Sequence, residues 1–105
     1  MKRLLLLLAI LTAPAQARTV TATVYDPWYA GRPDYCTGGA YQHWGVSAAH
    51  ASLPCGTKVR VTHGNRSLMV RITDRCDCNS IDLSAGAAYR LHVPLNGTAR
   101  VGISY

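Results

Sequence analysis

The chain has 105 residues, 49% of them hydrophobic, and its eleven basic residues outnumber five acidic ones for a net charge of +6. That length allows one domain with a modest core. The basic residues form no run, so the sequence does not predict a nucleic-acid partner. It contains no glutamate, and carboxylate chemistry must therefore come from the five aspartates, which are Asp26, Asp34, Asp74, Asp77 and Asp82.

The N-terminus has the three parts of a secretory signal peptide. Lys2 and Arg3 give a positive start, Leu4 to Leu11 is almost entirely leucine, and Ala15-Gln16-Ala17 is a small-x-small cleavage site. We predict cleavage after Ala17, a mature domain of residues 18–105, and a secreted or periplasmic location. The apolar run is too short to cross a bilayer, so no membrane anchor is expected after cleavage.

Removing the signal peptide leaves nine basic residues against five acidic ones, a net charge of +4. A mild positive charge suits an exported protein that works near anionic cell-wall polymers. An ordinary solvated basic surface is the alternative interpretation.

The mature chain is dominated by short β patterns. Thr19–Tyr25 alternates apolar and polar residues and is rich in β-branched side chains, as a strand requires. Ser84 predicts the cap of a short helix that runs through Arg90. Further strands are predicted at 45–49, 58–62, 68–73 and 99–104, with a hairpin turn at 63–66. Several short strands with one helix favour a small closed barrel, which hides strand edges.

The four cysteines, Cys36, Cys55, Cys76 and Cys78, predict two structural disulfides, because an even count in a small exported domain is typical of covalent crosslinking. A bond between Cys76 and Cys78 would close a very tight ring. We therefore expect Cys55 to bond one member of that pair and Cys36 the other. A zinc site made of Cys76, Cys78 and a histidine is the alternative, although zinc ligands are usually spaced more widely.

Three ordered motifs resemble a known family. They are Ser-Ala-Ala-His-x-x-Leu-Pro-x-Gly-Thr-x-Val-x-Val (47–61), Val-Arg-Ile-Thr-Asp-Arg (70–75) and Ile-Asp-Leu-Ser (81–84). Together they closely resemble the double-psi β-barrel of the rare lipoprotein A (RlpA) family, which is related to expansin and barwin-like domains. The resemblance implies a mainly β fold, a small six-stranded double-psi β-barrel with one or two short helices.

The resemblance also implies action on cell-wall glycan, since RlpA-type enzymes are lytic transglycosylases of peptide-stripped peptidoglycan strands. In that reaction one carboxylic acid protonates the leaving oxygen, then as carboxylate takes the proton of the sugar's 6-hydroxyl while an anhydro ring closes. Asp74 matches the family's aspartate and is the predicted acid/base. His50 matches the family's histidine and would orient the acid or bind substrate. We expect the protein to be a monomer and to need no cofactor or metal.

Five further residues are predicted to contact substrate in the same groove, namely Tyr25, Trp28, Tyr41, Trp44 and Arg75. Aromatic rings can stack on sugar rings, although in so small a domain they can equally fill the core. Asp74 and His50 also have structural interpretations, as a loop-holding carboxylate and a buried histidine. Asp82 is assigned to structure because it lies beside the helix cap.

The chain departs from the family at one catalytic position. The family has a glutamate eleven residues before the histidine, and here that position is Gly39. Three functions therefore remain open. They are a wall enzyme that uses Asp74, a non-catalytic expansin-like glycan binder, and a disulfide-stabilised protein binder such as a protease inhibitor.

Overall fold

A computed structural model describes residues 17–78 and 80–105. Within these ranges the chain forms six strands, β1 (Ala17–Val24), β2 (Ala48–His50), β3 (Lys58–His63), β4 (Arg66–Asp74), β5 (Ile81–Leu83) and β6 (Ala99–Ser104), and one α-helix, α1 (Ala85–Leu91). A single 3₁₀ turn spans Pro27–Tyr29. Most of the predicted signal peptide, residues 1–16, lies outside the described residues. Among the described helices, none has the length and apolar character needed to cross a membrane.

The six strands close into a barrel in the order β1-β5-β2-β4-β3-β6. Two neighbouring pairs, β1 with β5 and β2 with β4, are parallel, and the other four are antiparallel. Closure leaves no strand edge free to pair with another chain. The fold prediction of a small six-stranded barrel with short helical segments is confirmed.

Alternating side chains build the core, because successive strand residues point to opposite faces. In β3, Val59 and Val61 are fully buried, while the alternating Lys58 and Arg60 are exposed. The largest fully buried side chains are Ile72, Ile81, Leu83, Leu91, Val59, Val61, Val70 and Val101. Each contributes about 1.5–3 kcal/mol by leaving water.

The start of α1 fixes the loop that precedes β2. Ser84 caps the helix by accepting a hydrogen bond from the Ala87 N–H, and its hydroxyl donates to the Gly45 carbonyl at 2.8 Å. The Gly86 N–H donates to the His43 carbonyl at 3.0 Å. A β-carbon at Gly86 would collide with the carbonyl oxygens of Trp44 and Gly45. Only glycine therefore allows the helix and this loop to approach so closely.

The expected disulfide pairing is wrong. The bonds are Cys36–Cys55 and Cys76–Cys78, and the described cysteines include no free thiol. The Cys36 N–H donates to the Thr73 carbonyl at 3.0 Å, which brings Cys36 beside the end of β4 and within 5.5 Å (Cα–Cα) of Cys55. The packing of this loop against β4 therefore decides the pairing. Because the sulfurs of Cys76 and Cys78 are bonded to each other, neither offers a thiolate to a zinc ion.

Two local predictions also need correction. The predicted strand at 45–49 begins later, at Ala48, because the Gly45 N–H is used in a turn to the Gln42 carbonyl. Strand β5 was not predicted, since three residues are too few to show a period. By contrast, the β3–β4 hairpin, the Ser84 cap and the last strand are confirmed.

We expect Gly86→Ala to destabilise the protein by about 1–3 kcal/mol, because the added methyl must push apart α1 and the Trp44 loop. Gly102→Ala is the matched control, since its new methyl would meet its nearest neighbour, Thr62 Cβ, at an ordinary 3.9 Å. Thermal unfolding of both variants measures the difference. Equal melting temperatures would contradict the proposed close approach.

Candidate active site

Asp74 ends β4 and is held by three hydrogen bonds. Its Oδ1 accepts the backbone N–H groups of Tyr35 and Arg75, both at 2.9 Å, and its Oδ2 accepts the Tyr25 hydroxyl at 2.9 Å. Donors on both oxygens suit the carboxylate form. Asp74 therefore ties the loop after β1 and the loop around Tyr35 to the end of β4.

Asp82 lies in β5 between two fully buried residues, Ile81 and Leu83. Strand alternation turns its side chain away from the core, and it lines the same cleft as Tyr25. Its Oδ1 accepts the Thr23 hydroxyl at 2.8 Å. Burial raises the pKa of Asp82, the nearby charge of Asp74 raises it further, and the Thr23 hydrogen bond opposes the shift.

The barrel brings these two aspartates to one cleft. Ala49 of β2 pairs with Asp74 on one side and with Asp82 on the other, so two strand spacings, about 10 Å, separate the two backbones. Both side chains line an open cleft of about 350 Å³ together with Asp77 and Tyr25. We call this the aspartate cleft.

Sequence reasoning assigned Asp82 to structure and did not identify it as a site residue. Asp82 lies two residues before the helix cap Ser84, and a polar residue at that position is explained by the helix start alone. The available signal was local, namely one aspartate between two large apolar residues in Ile81-Asp82-Leu83. A charged residue in that position of a short strand must point away from the core.

His50 is almost fully buried and is engaged in its own turn. Its Nδ1 accepts the backbone N–H groups of Ser52 at 3.1 Å and Leu53 at 3.0 Å, which requires a lone pair on Nδ1 and the hydrogen on Nε2. Burial lowers the pKa of His50, and nearby Arg18 and Arg75 lower it further. The described lining of the aspartate cleft does not include His50. Its predicted catalytic role stays a prediction.

Arg75 lines the aspartate cleft, but its guanidinium is hydrogen-bonded to the turn that follows His50. Nη1 donates to the carbonyls of His50 at 3.1 Å and Leu53 at 2.6 Å. The described contacts of its guanidinium include no carboxylate. The geometry supports a structural contact, and substrate binding by Arg75 remains a prediction.

The predicted aromatic residues form one continuous run of rings. Its centre is buried, with Tyr25 stacked on Tyr41 at 4.2 Å between centroids. From Tyr25 the run passes through Tyr29 to Trp28, and from Tyr41 it passes through His43 to Trp44, each step an edge contact of 5.0–5.7 Å. Burial raises the pKa of Tyr41 to about 12 and that of Tyr25 even more, with the Asp74 hydrogen bond as the second cause for Tyr25.

The two ends of this run are exposed, Trp28 by 61% and Trp44 by 64%. Trp44 borders a second, largely apolar cleft of about 540 Å³, which shares Tyr25 with the aspartate cleft. One face of Trp28 is covered by the Arg32 guanidinium, whose carbon lies 3.4 Å from the ring centroid. Tyr25 and Tyr41 thus form the buried centre of the run, while the tryptophans at its two ends offer exposed rings.

Gly39, at the position of the family's glutamate, is not among the residues that line the aspartate cleft. Gly39 belongs to a folded-back loop closed by a bridge between Pro33 and Ala40. The nearby carboxylate of Asp34 accepts hydrogen bonds from the N–H and hydroxyl of Thr37 within that loop. No group of three or more metal-binding side chains occurs among the described residues.

Comparisons with known proteins agree with this geometry. Residues 21–103 match the family model described as "Lytic transglycolase". An uncharacterized Synechocystis protein is 42% identical over 86 residues, covering 80% of this chain and 93% of the relative. The endolytic peptidoglycan transglycosylase RlpA of Pseudomonas aeruginosa is 39% identical over 88 residues, covering 79% of this chain but only 26% of the enzyme. This chain therefore spans about a quarter of that relative.

A solved structure, the Streptomyces papain inhibitor, superposes with a TM-score of 0.69 and covers 87% of this chain and 94% of the inhibitor. The two sequences are 22% identical, so the likeness concerns the fold.

The role of His50 can be separated from its packing by two substitutions. His50→Asn is expected to retain most of the stability, because an amide oxygen can stand near the position of Nδ1 and accept the same N–H groups. His50→Ala leaves two N–H groups without that acceptor and is expected to cost about 1–3 kcal/mol. Urea unfolding checks both. Equal losses in the two variants would contradict the proposed role of Nδ1.

Proposed function

Because this chain belongs to the RlpA-like double-psi β-barrel family, we propose that it cleaves peptide-stripped glycan strands of peptidoglycan in the aspartate cleft. The observation that carries the proposal is the position of Asp82. This carboxyl is half-buried, its pKa is raised, and it shares one open cleft with Asp74. A raised pKa keeps a carboxylic acid protonated and able to donate at the pH where ordinary aspartates are ionised.

In the proposed reaction Asp82 is the acid/base. Its proton passes to the glycosidic oxygen as the bond from that oxygen to the anomeric carbon breaks. The resulting carboxylate then removes the proton of the 6-hydroxyl, whose oxygen bonds to the anomeric carbon and closes the anhydro ring. Asp82 ends the cycle protonated, so one carboxyl serves both steps and the missing family glutamate is not needed.

Asp74 supports this chemistry as a fixed negative charge. Three hydrogen bonds hold its carboxylate in place, including that of the buried Tyr25 hydroxyl. A charge held in position can stabilise the positive charge that develops on the sugar ring as the bond breaks. This role differs from the predicted acid role of Asp74, which remains the alternative assignment within the same cleft.

The cleft also favours a particular form of the substrate. The described residues that line it include three aspartates, Asp74, Asp77 and Asp82. They include one basic residue, Arg75, whose guanidinium is bonded to backbone carbonyls. Stem peptides bear carboxylates, which this negative potential repels. Peptide-stripped glycan keeps only the lactyl carboxylate of each muramic acid, so it carries less negative charge than peptide-bearing glycan. Its sugar rings can stack on the exposed faces of Trp28 and Trp44.

The proposal includes export of the protein after removal of residues 1–17, action as a monomer, and no cofactor. The two disulfides support an oxidising compartment, where such bonds persist. A non-catalytic glycan binder is the second candidate, because the exposed tryptophans would serve it equally well without the acid.

Incubation with peptide-stripped glycan strands tests the proposal, with anhydro-ended products as the measurement. We expect Asp82→Asn to lower product formation by at least about 100-fold, because the amide cannot supply the proton. Asp74→Asn should reduce it less, since the amide oxygen still accepts two of the hydrogen bonds. Asp34→Asn, whose side chain bonds within its own loop, is the matched control and should keep wild-type activity.

The pH dependence carries a definite sign. Because the pKa of Asp82 is raised and the acid must begin protonated, wild-type activity should fall as the pH rises through that value. Wild-type rates from folded Asp82→Asn protein would overturn the assignment of the acid. Absence of product from wild-type protein that still sediments with glycan would leave only the binder.

A further inference from the structure

Four adjacent strands carry a basic surface on the side chains that point away from the core. Lys58 of β3 pairs directly with Arg71 of β4, and Arg60 pairs with Met69 on the same face. On the other side of β3, Arg60 pairs with Ser104 of β6. Arg100 of β6 lies on the same face and pairs with Thr21 of β1. We call this surface, defined by Lys58, Arg60, Arg71 and Arg100, the basic face.

The positive charges of the basic face have no carboxylate partner among the described residues. Arg60 donates to the Ser67 hydroxyl, Arg71 to the Gly56 carbonyl, and Arg100 to the Thr21 hydroxyl. These bonds use few of the five donors of each guanidinium. Like charges directly opposite one another, as in the Lys58–Arg71 pair, also destabilise a sheet. An anionic ligand would relieve this repulsion.

A hollow of about 340 Å³ opens on the same surface where β1, β6 and β3 meet. Arg18 and Arg60 line it, together with the hydroxyl-bearing residues Thr19, Thr62 and Ser104. Gly102, which has no side chain, also lines it. Cationic groups and hydroxyls around a shallow hollow can receive an anionic group of a polymer.

The aspartate cleft has a lining separate from that of the hollow, although Arg71 of the basic face is only three residues before Asp74 in β4. Asp26, Asp34 and Asp77 lie in loops, Asp74 is the last residue of β4, and Asp82 lies in β5. The hollow is at the start of β1 and the aspartate cleft is at its end, since Thr19 lines the first and Thr23 the second. Four residues of strand separate them by about 13 Å. An anionic group in the hollow and glycan in the cleft would therefore occupy separate sites.

We propose that the basic face binds the free carboxylates of stem peptides on intact peptidoglycan, so that the protein docks on peptide-bearing wall while its cleft receives stripped strands. This inference rests on the proposed function for the identity of the polymer. Charge complementarity selects the occupant, because guanidinium groups pair with carboxylates in a fixed two-point geometry. The cleft and the basic face thus respond oppositely to stem peptides.

Co-sedimentation with purified sacculi at low salt tests the docking site, in short incubations on ice. We expect the triple variant Lys58→Gln, Arg60→Gln, Arg71→Gln to bind about tenfold more weakly than wild type. Arg90→Gln, an exposed charge on α1, is the matched control and should bind like wild type. Binding should also fall when salt is raised to about 0.5 M, and when an amidase has removed the stem peptides.

A second assay separates this inference from the proposed function. Cleavage of soluble, peptide-stripped strands should be the same for the triple variant and wild type, because that substrate has no stem carboxylates. Loss of sedimentation with unchanged cleavage supports the docking site. Unchanged sedimentation of the triple variant, or wild-type binding to double-stranded DNA and not to sacculi, would overturn it. Absence of cleavage by wild type would count against the proposed function alone.

Discussion

The carboxylate of Asp74 is the contact on which the arrangement of the site depends. It joins the Tyr25 hydroxyl, at the end of β1, to the Tyr35 N–H, in the loop bonded to Cys55 through Cys36. Tyr25 in turn stacks on Tyr41, which leads through His43 to Trp44. A shift of this one carboxylate would move the stacked tyrosines, the loop around Tyr35 and the cleft together. Its hydrogen bonds therefore make the site a rigid unit, and catalytic groups must be held in a fixed geometry.

Much of the fold could be predicted from local patterns, because the β3–β4 hairpin and the Ser84 cap depend on residues close in sequence. The disulfide pairing could not, since it depends on where the loop around Cys36 packs against β4. The same limit explains Asp82. Its neighbours in the chain indicate a strand end, while its raised pKa depends in part on Asp74, which only the barrel brings near. Recognition of the motifs identified the family and missed this second carboxylate.

The distribution of charge gives the molecule two distinct surfaces. Negative side chains line the cleft, and positive ones cover the outward side of β1, β3, β4 and β6. Neither feature is visible as a run in the sequence, because a β-strand places alternate residues on one face and the sheet assembles that face from distant segments. Under the two proposals, a small barrel thus separates the recognition of peptide-bearing wall from the cleavage of peptide-stripped glycan.

The central claim is that the barrel makes Asp82 an acid by burying it beside Asp74. A titration of the side-chain carboxyl carbons by NMR tests this directly in the wild-type protein and in Asp74→Asn. The account predicts that Asp82 titrates above the ordinary aspartate range, and that its pKa falls in Asp74→Asn while remaining raised by burial. An Asp82 that titrates at or below the ordinary value in the wild-type protein would contradict the account.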